Sequence, residues 1–358
     1  MSSKRYETMS EGWRNILLPF SLAYGGIVSV RNFGYDSGLL GVKKLPAPVI
    51  SVGNITVGGS GKTPFVMYLV GKLLLLGKKP AILSRGYKRM TDDLVIACPE
   101  CGYVPDVQVI GDEPALISRK FPQVPVAVHA DRHRAGMAVL QQFGADVFVL
   151  DDGMQNRELH RDIDFVLLKH SLYDLSDSYL PAGNLRDSKR RIKQADVIIL
   201  TAHTRVSDDG EYSEVQRRYP EIPVAGINFV ASELLDRAGS LVSLDILRNK
   251  DVVAFCGIAN AEQFFENVDN IAGKAVSRKT FRDHHWYDEY DIDEIFGGNE
   301  DRIAVTTSKD AVRIFSDEEL SQINEIRQIY ALDEKAVVDF GEEHIDGALN
   351  RVFRRVYA

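Results

Sequence analysis

The chain has 358 residues, 45% of them hydrophobic, which is long for one domain and sufficient for two with cores of their own. Its 43 basic and 51 acidic residues give a net charge of -8 at pH 7, which argues against nucleic acid as the main partner. Three cysteines do not make a disulfide framework, and the start resembles no cleavable secretory signal, so we expect a cytoplasmic site of action.

An apolar stretch comes first, from Trp13 to Val30. A helix that spans a membrane needs about 20 apolar residues, whereas this stretch is shorter and contains a proline and two adjacent glycines. We therefore expect residues 1–35 to form a membrane-associating helix that lies in, or dips into, one leaflet. The alternative is a helix that packs on the protein's own core.

The most informative stretch is residues 48–70, which read PVISVGNITVGGSGKTPFVMYLV. An apolar run, a glycine-rich loop and a second apolar run follow in the order strand, phosphate loop, helix. Glycines let backbone N–H groups approach an anion, and the helix N-terminus adds a partial positive charge. We expect Lys62 to reach a terminal phosphate and the Thr63 hydroxyl to ligate magnesium. The predicted nucleotide-binding residues are Thr56, Val57, Gly58, Gly59, Ser60, Gly61, Lys62 and Thr63.

This loop departs from the usual G-x-x-x-x-G-K-[ST] pattern at one position, because Thr56 stands where the pattern begins with glycine. A flexible glycine-rich surface loop is therefore the alternative. The Gly-Lys-Thr sequence at a strand-to-helix junction favours the nucleotide site, since a flexible loop has no need of it.

Polar residues follow the next predicted strands, at the sheet edge where α/β proteins bind ligands. Tyr87 and Arg132 each stand just after an apolar strand and beside other basic residues. Asp112 and Glu113 open a predicted helix. The helix dipole alone favours acidic residues there, but a carboxylate near the phosphate loop could also take a proton from an acceptor hydroxyl.

Asp151 and Asp152 end another apolar strand, which is the form of the second element of a nucleotide site. In that element a strand delivers a carboxylate to the magnesium held by the phosphate loop, here by Thr63. Together with the Gly-Lys-Thr loop upstream, the acidic pair predicts a magnesium site. A later loop from Leu180 to Ser188, rich in glycine, proline and basic residues, is long enough to close over a substrate.

Cys98 and Cys101 have the spacing of half a zinc knuckle. No second pair follows, and Cys256 is far away in the sequence. Because structural zinc requires four ligands, a reduced turn is favoured over a zinc site.

A second unit begins at Val252 and repeats the strand-loop-helix order without a phosphate loop. It contains the adjacent pair His284 and His285, which is more often incidental than catalytic unless the turn lies at a cleft. Alternating strands and helices predict an α/β fold with mostly parallel sheets and helices on both faces. We expect a phosphate-loop domain over 36–235 and a smaller α/β domain over 236–358.

These features favour a nucleoside triphosphate enzyme, and three kinds remain open. A GTPase would carry an Asn-Lys-x-Asp element, and the nearest sequence, at residues 307–310, lacks the intervening residue. A mechanical ATPase would offer an assembly signature or an arginine finger. A small-molecule kinase needs an acceptor site and a base, which Asp112 and the histidine pair could supply, and the apolar N-terminus suggests a lipid-like acceptor.

The motifs together resemble a known family. SVGNITVGGSGKTPF, LSRGY, GDEP, VLDDGMQ, LPAGNLR, FCGIAN, DHHWY and TTSKDAVR are similar to the tetraacyldisaccharide 4'-kinases, the lipid A 4'-kinases of Gram-negative bacteria, along nearly the whole chain. That family also has serine or threonine at the position of Thr56. The resemblance implies a phosphate-loop domain and a smaller α/β domain joined by a strand hinge.

The resemblance also implies an activity. The enzyme would use Mg2+ and transfer the γ-phosphate of ATP to the 4'-hydroxyl of an acylated disaccharide 1-phosphate, giving lipid IVA. It would be a peripheral or monotopic protein at the cytoplasmic face of the bacterial inner membrane. No obligate protein partner is expected. The other interpretation is a phosphate-loop ATPase or GTPase that acts as a membrane-associated switch or assembly factor.

The resemblance further implies roles for single residues. Asp112 would activate the acceptor hydroxyl, His284 would partner it from the second domain, and Lys62 would act on the phosphates. The acceptor side would be lined by four residues, namely Tyr87, Arg132, Gln155 and Arg186. Asp151 or Asp152 would ligate magnesium with Thr63, and Asp187 stands where relatives often carry glutamate, which leaves a magnesium role for it open.

Overall fold

The computed structural model of the chain describes residues 11–87, 89–169, 178–201, 209–258, 261–299, 301–317, 320 and 327–356. The strands are β1 Val49–Gly53, β2 Pro80–Ser84, β3 Val95–Ala97, β4 Val126–Val128, β5 Val147–Asp151, β6 Ile163–Lys169, β7 Val197–Thr201, β8 Val224–Leu235, β9 Leu241–Val242, β10 Val252–Cys256, β11 Ser277–Thr280, β12 Ile303–Thr307 and β13 Gln328–Phe340. The helices are α1 Glu11–Asp36, α2 Lys62–Leu75, α3 Val107–Ile110, α4 Asp112–Lys120, α5 Arg132–Gln142, α6 Asp209–Arg218, α7 Glu262–Ala272, α8 Glu289–Phe296, α9 Ser308–Ser316 and α10 Glu342–Val356.

These strands form one continuous sheet in the order β11-β10-β12-β13-β8-β7-β6-β1-β5-β2-β4-β3, with β9 beside β8. Neighbouring strands run parallel except in the pairs β13 with β8, β8 with β9, and β3 with β4. The prediction of a mostly parallel α/β sheet is confirmed. Successive residues of β1 pack on opposite sides, since Ile50 lies in a cluster with Phe65 of α2 and Val49 in one with Val139 of α5.

Two long antiparallel strands, β8 and β13, connect the parallel parts of the sheet. We call β1 to β7 with their helices the large section, and β10 to β12 with theirs the small section. Strand β8 extends from Val224 to Leu235 and leads from the large section into the small section. The last helix, α10, packs its apolar residues Ile345 and Leu349 into the core of the large section. The domain boundaries given from the sequence stay predictions.

Helix α1 runs without a break through Pro19, Gly25 and Gly26. It lies against the loop from Ser178 to Asp187, where the Ser21 hydroxyl accepts a hydrogen bond from the Ala182 amide at 2.8 Å. Gly25 is part of this contact, since a Cβ added there would lie 2.7 Å from the Tyr179 ring. The segment Arg14–Asp36 has the length and composition of a helix that could cross a membrane.

Cys98 and Cys101 are joined by a disulfide across a single 3-10 turn at the end of β3. This differs from the reduced turn that the spacing favours. The bond engages both sulfur atoms, and the described residues hold no group of three or more His, Cys, Asp or Glu side chains placed to hold a metal ion.

Candidate active site

The phosphate loop follows the fully buried strand β1 and ends at Gly61, the residue before α2. Gly61 has a φ of 75°, and a Cβ added there would lie 2.3 Å from the Phe229 ring of β8. Only glycine fits this position, because it tolerates a positive φ and has no side chain to clash. The loop is therefore held directly against the strand that leads toward the small section.

Asn54, fully buried at the end of β1, organises the loop. Its Nδ2 donates to the Ser60 hydroxyl at 2.9 Å and to the Thr56 hydroxyl at 3.3 Å. Its Oδ1 accepts from Lys62 Nζ at 3.2 Å and from Arg186 Nη2 at 2.6 Å. One amide thus connects two loop hydroxyls with two cations.

The acidic pair lies beside these cations. Asp151 ends β5, opposite Val52 of β1, and the next residue, Asp152, has a φ of 51°. The Asp152 carboxylate accepts two hydrogen bonds from Arg186, at 2.7 and 2.9 Å, and lies 3.5 Å from Lys62 Nζ. The phosphate-binding side chains and both carboxylates therefore meet at the carboxyl edge of the sheet.

The environments of the two carboxyls differ. Burial, with the nearby charges of Asp152 and Glu113, raises the pKa of Asp151 to about 7. Burial also acts to raise the pKa of Asp152, but Lys62 and Arg186 outweigh it and hold that pKa well below its usual value. A divalent cation would offset the repulsion between the two carboxylates, and carboxylate and hydroxyl oxygens are the donors that Mg2+ prefers. The chemistry of Asp151, Asp152 and Thr63 therefore fits this ion.

Asp112 and His284 face each other across the boundary between the large and small sections, which we call the cleft. His284 Nδ1 and Asp112 Oδ2 are hydrogen-bonded at 2.7 Å. Asp112 is the first residue of α4 in the large section, and His284 follows β11 in the small section with a φ of 62°. The backbone N–H of His284 donates to the Gly257 carbonyl at 3.1 Å, which fixes this unusual conformation.

Two cations of α9 complete the contact between the sections. Lys309 Nζ forms an ion pair with Glu113, and Arg313 Nε lies 3.4 Å from Asp112 Oδ2. Burial raises the pKa of Asp112, but the hydrogen bond from His284 and the charge of Arg313 outweigh burial and hold that pKa below its usual value. Asp112 is therefore an ionised acceptor at neutral pH, partnered by an imidazole.

Comparisons with known proteins identify the family. A family model described as tetraacyldisaccharide-1-P 4'-kinase, or LpxK, matches residues 13–354. The chain belongs to this kinase family. A tetraacyldisaccharide 4'-kinase from Aquifex aeolicus is 39% identical, covering 87% of this chain and 93% of that protein. One from Pelobacter propionicus is 35% identical, covering 84% and 83%.

The fold agrees with a solved structure of the same family. The crystal structure of the "apo" form of LpxK from Aquifex aeolicus in complex with ATP superposes with a TM-score of 0.78 at 36% identity, over 95% of this chain and 99% of that one. Family membership confirms the prediction of a tetraacyldisaccharide 4'-kinase and favours it over the ATPase or GTPase switch. The roles of single residues stay predictions.

The four residues predicted on the acceptor side of this kinase lie in different surroundings. Tyr87 is exposed, with its ring centroid 6.3 Å from that of His284. Arg132 is buried, and burial lowers its pKa to about 10. Gln155 donates to the Asn54 carbonyl at 2.8 Å. Arg186 bonds Asn54 and Asp152 beside the phosphate loop, and its predicted place on the acceptor side stays a prediction.

Asp187, whose magnesium role the sequence left open, contacts the N-terminal helix. It is fully buried, accepts from Asn32 at 2.8 Å, and forms an ion pair with Arg31 at 3.2 Å. Tyr24 donates to the carbonyl of the neighbouring Arg186 at 3.1 Å. Helix α1 is therefore attached to the same loop that supplies a cation to the phosphate site.

Asn54 and Arg313 contact predicted site residues, but the sequence prediction did not name them. Both lie within quoted motifs, SVGNITVGGSGKTPF and TTSKDAVR. The local signal for Arg313 was a cation one turn after Asp310 on a short helix. This is the spacing of an ordinary ion pair on a helix surface. Neither the separation of 201 positions between Asp112 and Arg313 nor the helix pattern indicates that the two side chains meet.

Proposed function

We propose that this kinase uses ATP and Mg2+ to phosphorylate the 4'-hydroxyl of a tetraacyldisaccharide 1-phosphate at a membrane surface, giving lipid IVA. The observation that carries the proposal is the Asp112–His284 hydrogen bond across the cleft, in a chain that belongs to the tetraacyldisaccharide-1-P 4'-kinase family. A base positioned for a substrate hydroxyl distinguishes a kinase from a phosphate-loop protein that only hydrolyses its nucleotide.

The phosphate loop would hold the β- and γ-phosphates of ATP. The loop amides, Lys62 and the start of α2 supply positive charge where the phosphates would lie. Arg186 and Lys62, which contact Asp152 in the structure, would turn to the phosphate oxygens. Bound Mg2+ would neutralise phosphate charge, with Thr63 and the Asp151–Asp152 pair as its protein ligands.

Transfer then requires one bond to form and one to break. The acceptor oxygen attacks the γ-phosphorus, the bond to the β-phosphate bridging oxygen breaks, and ADP leaves. The hydroxyl proton passes to Asp112, whose bond to His284 stabilises the protonated pair. A positioned base of this kind contributes on the order of 10²- to 10⁴-fold to the rate.

The acylated acceptor would approach from the side of α1. Large apolar side chains are exposed along this helix and the residues after it, among them Ile16, Phe20, Leu22, Ile27, Val30, Phe33 and Leu39. Such a surface favours contact with lipid rather than water. Because α1 is attached to the Arg186–Asp187 loop, a membrane bound to α1 would lie close to the phosphate site. This supports a position on the inner membrane, facing the cytoplasm where ATP is available.

The experiment follows the label of γ-labelled ATP in the presence of the disaccharide 1-phosphate in detergent micelles. The proposal expects labelled lipid that depends on both the acceptor and Mg2+, with little free phosphate. Asp112→Ala should lose transfer while it still binds ATP. Release of phosphate without labelled lipid would contradict the proposal and support an ATPase.

A further inference from the structure

The side chain of Arg313 contacts Asp112 and the loop that carries His284. Arg313 lies on α9, and its side chain is 1% exposed. Its Nε lies 3.4 Å from Asp112 Oδ2, the same oxygen that bonds His284. Its Nη1 donates to the backbone carbonyl of His285, the residue directly after His284. One guanidinium therefore contacts the carboxylate from the large section and the loop that carries the imidazole.

The guanidinium is itself held by a buried carboxylate. Arg313 Nη2 lies 3.1 Å from Asp310 Oδ1 one turn earlier on α9. Asp310 is fully buried and accepts further hydrogen bonds from Tyr287 at 3.1 Å, the Gly257 amide at 3.1 Å and the Thr307 hydroxyl at 2.6 Å. These contacts fix Arg313 with little freedom, which is what a group that orients another side chain requires.

The loop needs such support because its conformation is costly. A non-glycine residue with the φ of His284 carries backbone strain, on the order of 1 to 3 kcal/mol, and persists only where its surroundings over-determine it. The backbone bond from His284 to Gly257 and the Arg313 bond to His285 are two such constraints.

We propose that Arg313 is a positioning residue for phosphoryl transfer, which aligns Asp112 and His284. It does not touch substrate in this account. His284 Nδ1 and Arg313 Nε both approach Asp112 at Oδ2. The proposal rests on the proposed function, since alignment matters only if Asp112 acts as the base.

Charge gives Arg313 a second effect besides alignment. In the described structure, the titratable and charged groups around Asp112 are His284 and Arg313, with a weaker contribution from Lys309, which is paired to Glu113. Loss of the guanidinium charge would raise the pKa of Asp112. A larger fraction of Asp112 would then be protonated, and unable to act as a base, at acidic pH.

The test compares Arg313→Gln, Arg313→Lys and wild type by the pH dependence of kcat/KM for the acceptor. For Arg313→Gln we expect a kcat about 100-fold lower and an acid limb moved to higher pH by about one unit. Arg313→Lys keeps the charge without the planar fork, so kcat should fall while the acid limb stays in place. The KM for ATP should change little in both.

Arg302→Gln is the matched control. Arg302 lies in the same small section and also pairs with an aspartate, Asp251, at 3.0 Å, but it has no contact with Asp112 or the His284 loop in the described structure. This variant should keep the wild-type kcat and pH profile. A fall in stability and kcat for Arg313→Gln without movement of the acid limb would make Arg313 merely structural and overturn the proposal.

A second measurement needs no turnover, so it separates this proposal from the proposed function. The chain has two tryptophans, and in a Trp13→Phe background only Trp286, next to His285 and 44% exposed, reports by fluorescence. Acrylamide quenching of Trp286 should increase in Arg313→Lys and Arg313→Gln but not in Arg302→Gln. Unchanged quenching in both Arg313 variants would overturn the positioning role. If Arg313→Gln does not fold, wild-type kcat and quenching in Arg313→Lys would overturn it as well.

Discussion

Asp112 and His284 are 172 residues apart in the sequence, yet Oδ2 of the first lies 2.7 Å from Nδ1 of the second. One residue begins a helix of the large section, and the other follows a strand of the small section. A base that is completed only when both sections meet would limit loss of the γ-phosphate to water while the acceptor is absent.

The Gly257→Ala variant tests how tightly the His284 loop is placed. An added Cβ would lie 2.8 Å from the Arg282 carbonyl oxygen and 3.3 Å from His285 Cβ, so the loop must shift. We expect kcat to fall by about 10- to 100-fold with unchanged ATP affinity, because displacement of a reacting group by about 1 Å is this costly. Gly347→Ala is the control, since nothing lies within 4 Å of its added Cβ and it sits inside helix α10. Wild-type turnover of Gly257→Ala would contradict the loop's role.

The Asn54→Ala variant tests the organisation of the phosphate loop. It removes the partner of Thr56, Ser60, Lys62 and Arg186 together. Loss of a buried hydrogen-bonding group costs about 1 to 3 kcal/mol, so ATP affinity measured by calorimetry should fall by about 10- to 100-fold. Asn299→Ala, which removes exposed hydrogen bonds to Asp251 and from the Asp301 amide, should bind ATP normally. Equal affinity of the two variants would show that the loop does not depend on Asn54.

Aspartate substitutions in α1 test membrane contact. Ile27 and Phe33 are 69% and 66% exposed on this helix. Ile27→Asp with Phe33→Asp should reduce co-sedimentation with phosphatidylethanolamine–phosphatidylglycerol vesicles by about tenfold or more, since each large apolar side chain contributes about 1.5 to 3 kcal/mol. Leu75→Asp is the control, because Leu75 is 91% exposed but lies on α2. Equal loss of vesicle binding in the control would mean that α1 is not the specific membrane contact.

The Glu334→Gln variant tests a pH dependence of stability at the junction strand β13. Burial, with the charge of Asp333, raises the pKa of Glu334 despite a hydrogen bond from Asn267. The folded state therefore binds the proton more tightly than the unfolded state, and this stability is lost as pH rises through the folded pKa. Glu334→Gln should raise the melting temperature at pH 8 and leave it unchanged at pH 4. Exposed Glu343→Gln should change neither, and an equal effect at both pH values would refute the assignment.

The parts of the site that the sequence predicted were those with a local signal. Strand β1, the Gly-Lys-Thr loop and α2 follow each other directly, so their order alone predicts a phosphate loop. The apolar run that ends in Asp151 and Asp152 is also a local signal, because a buried strand that ends in carboxylates predicts a magnesium site. The residues alone made Asp112 a possible base and left the histidine pair as more often incidental than catalytic. The family resemblance then implied the roles of Asp112 and His284.

The missed features depend on contacts between distant parts of the chain. The attachment of α1 to the loop containing Tyr179 and Asp187 was not predicted. The antiparallel pairing of β8 with β13 was not predicted either, because the two strands lie about a hundred residues apart in the sequence. Arg313 reads as an ordinary helix cation until α9 is placed against α4. Pairing of this kind has no period or spacing in the sequence.

The most direct test of the central claim is a double-mutant cycle on Asp112 and His284, with kcat for transfer of the γ-phosphate to the disaccharide 1-phosphate as the readout. Asp112→Ala and His284→Ala should each lower kcat by about 10²- to 10⁴-fold. If the two residues act as one unit, the double variant should be no slower than the slower single variant. Losses that multiply, or a single variant with wild-type kcat, would contradict the account.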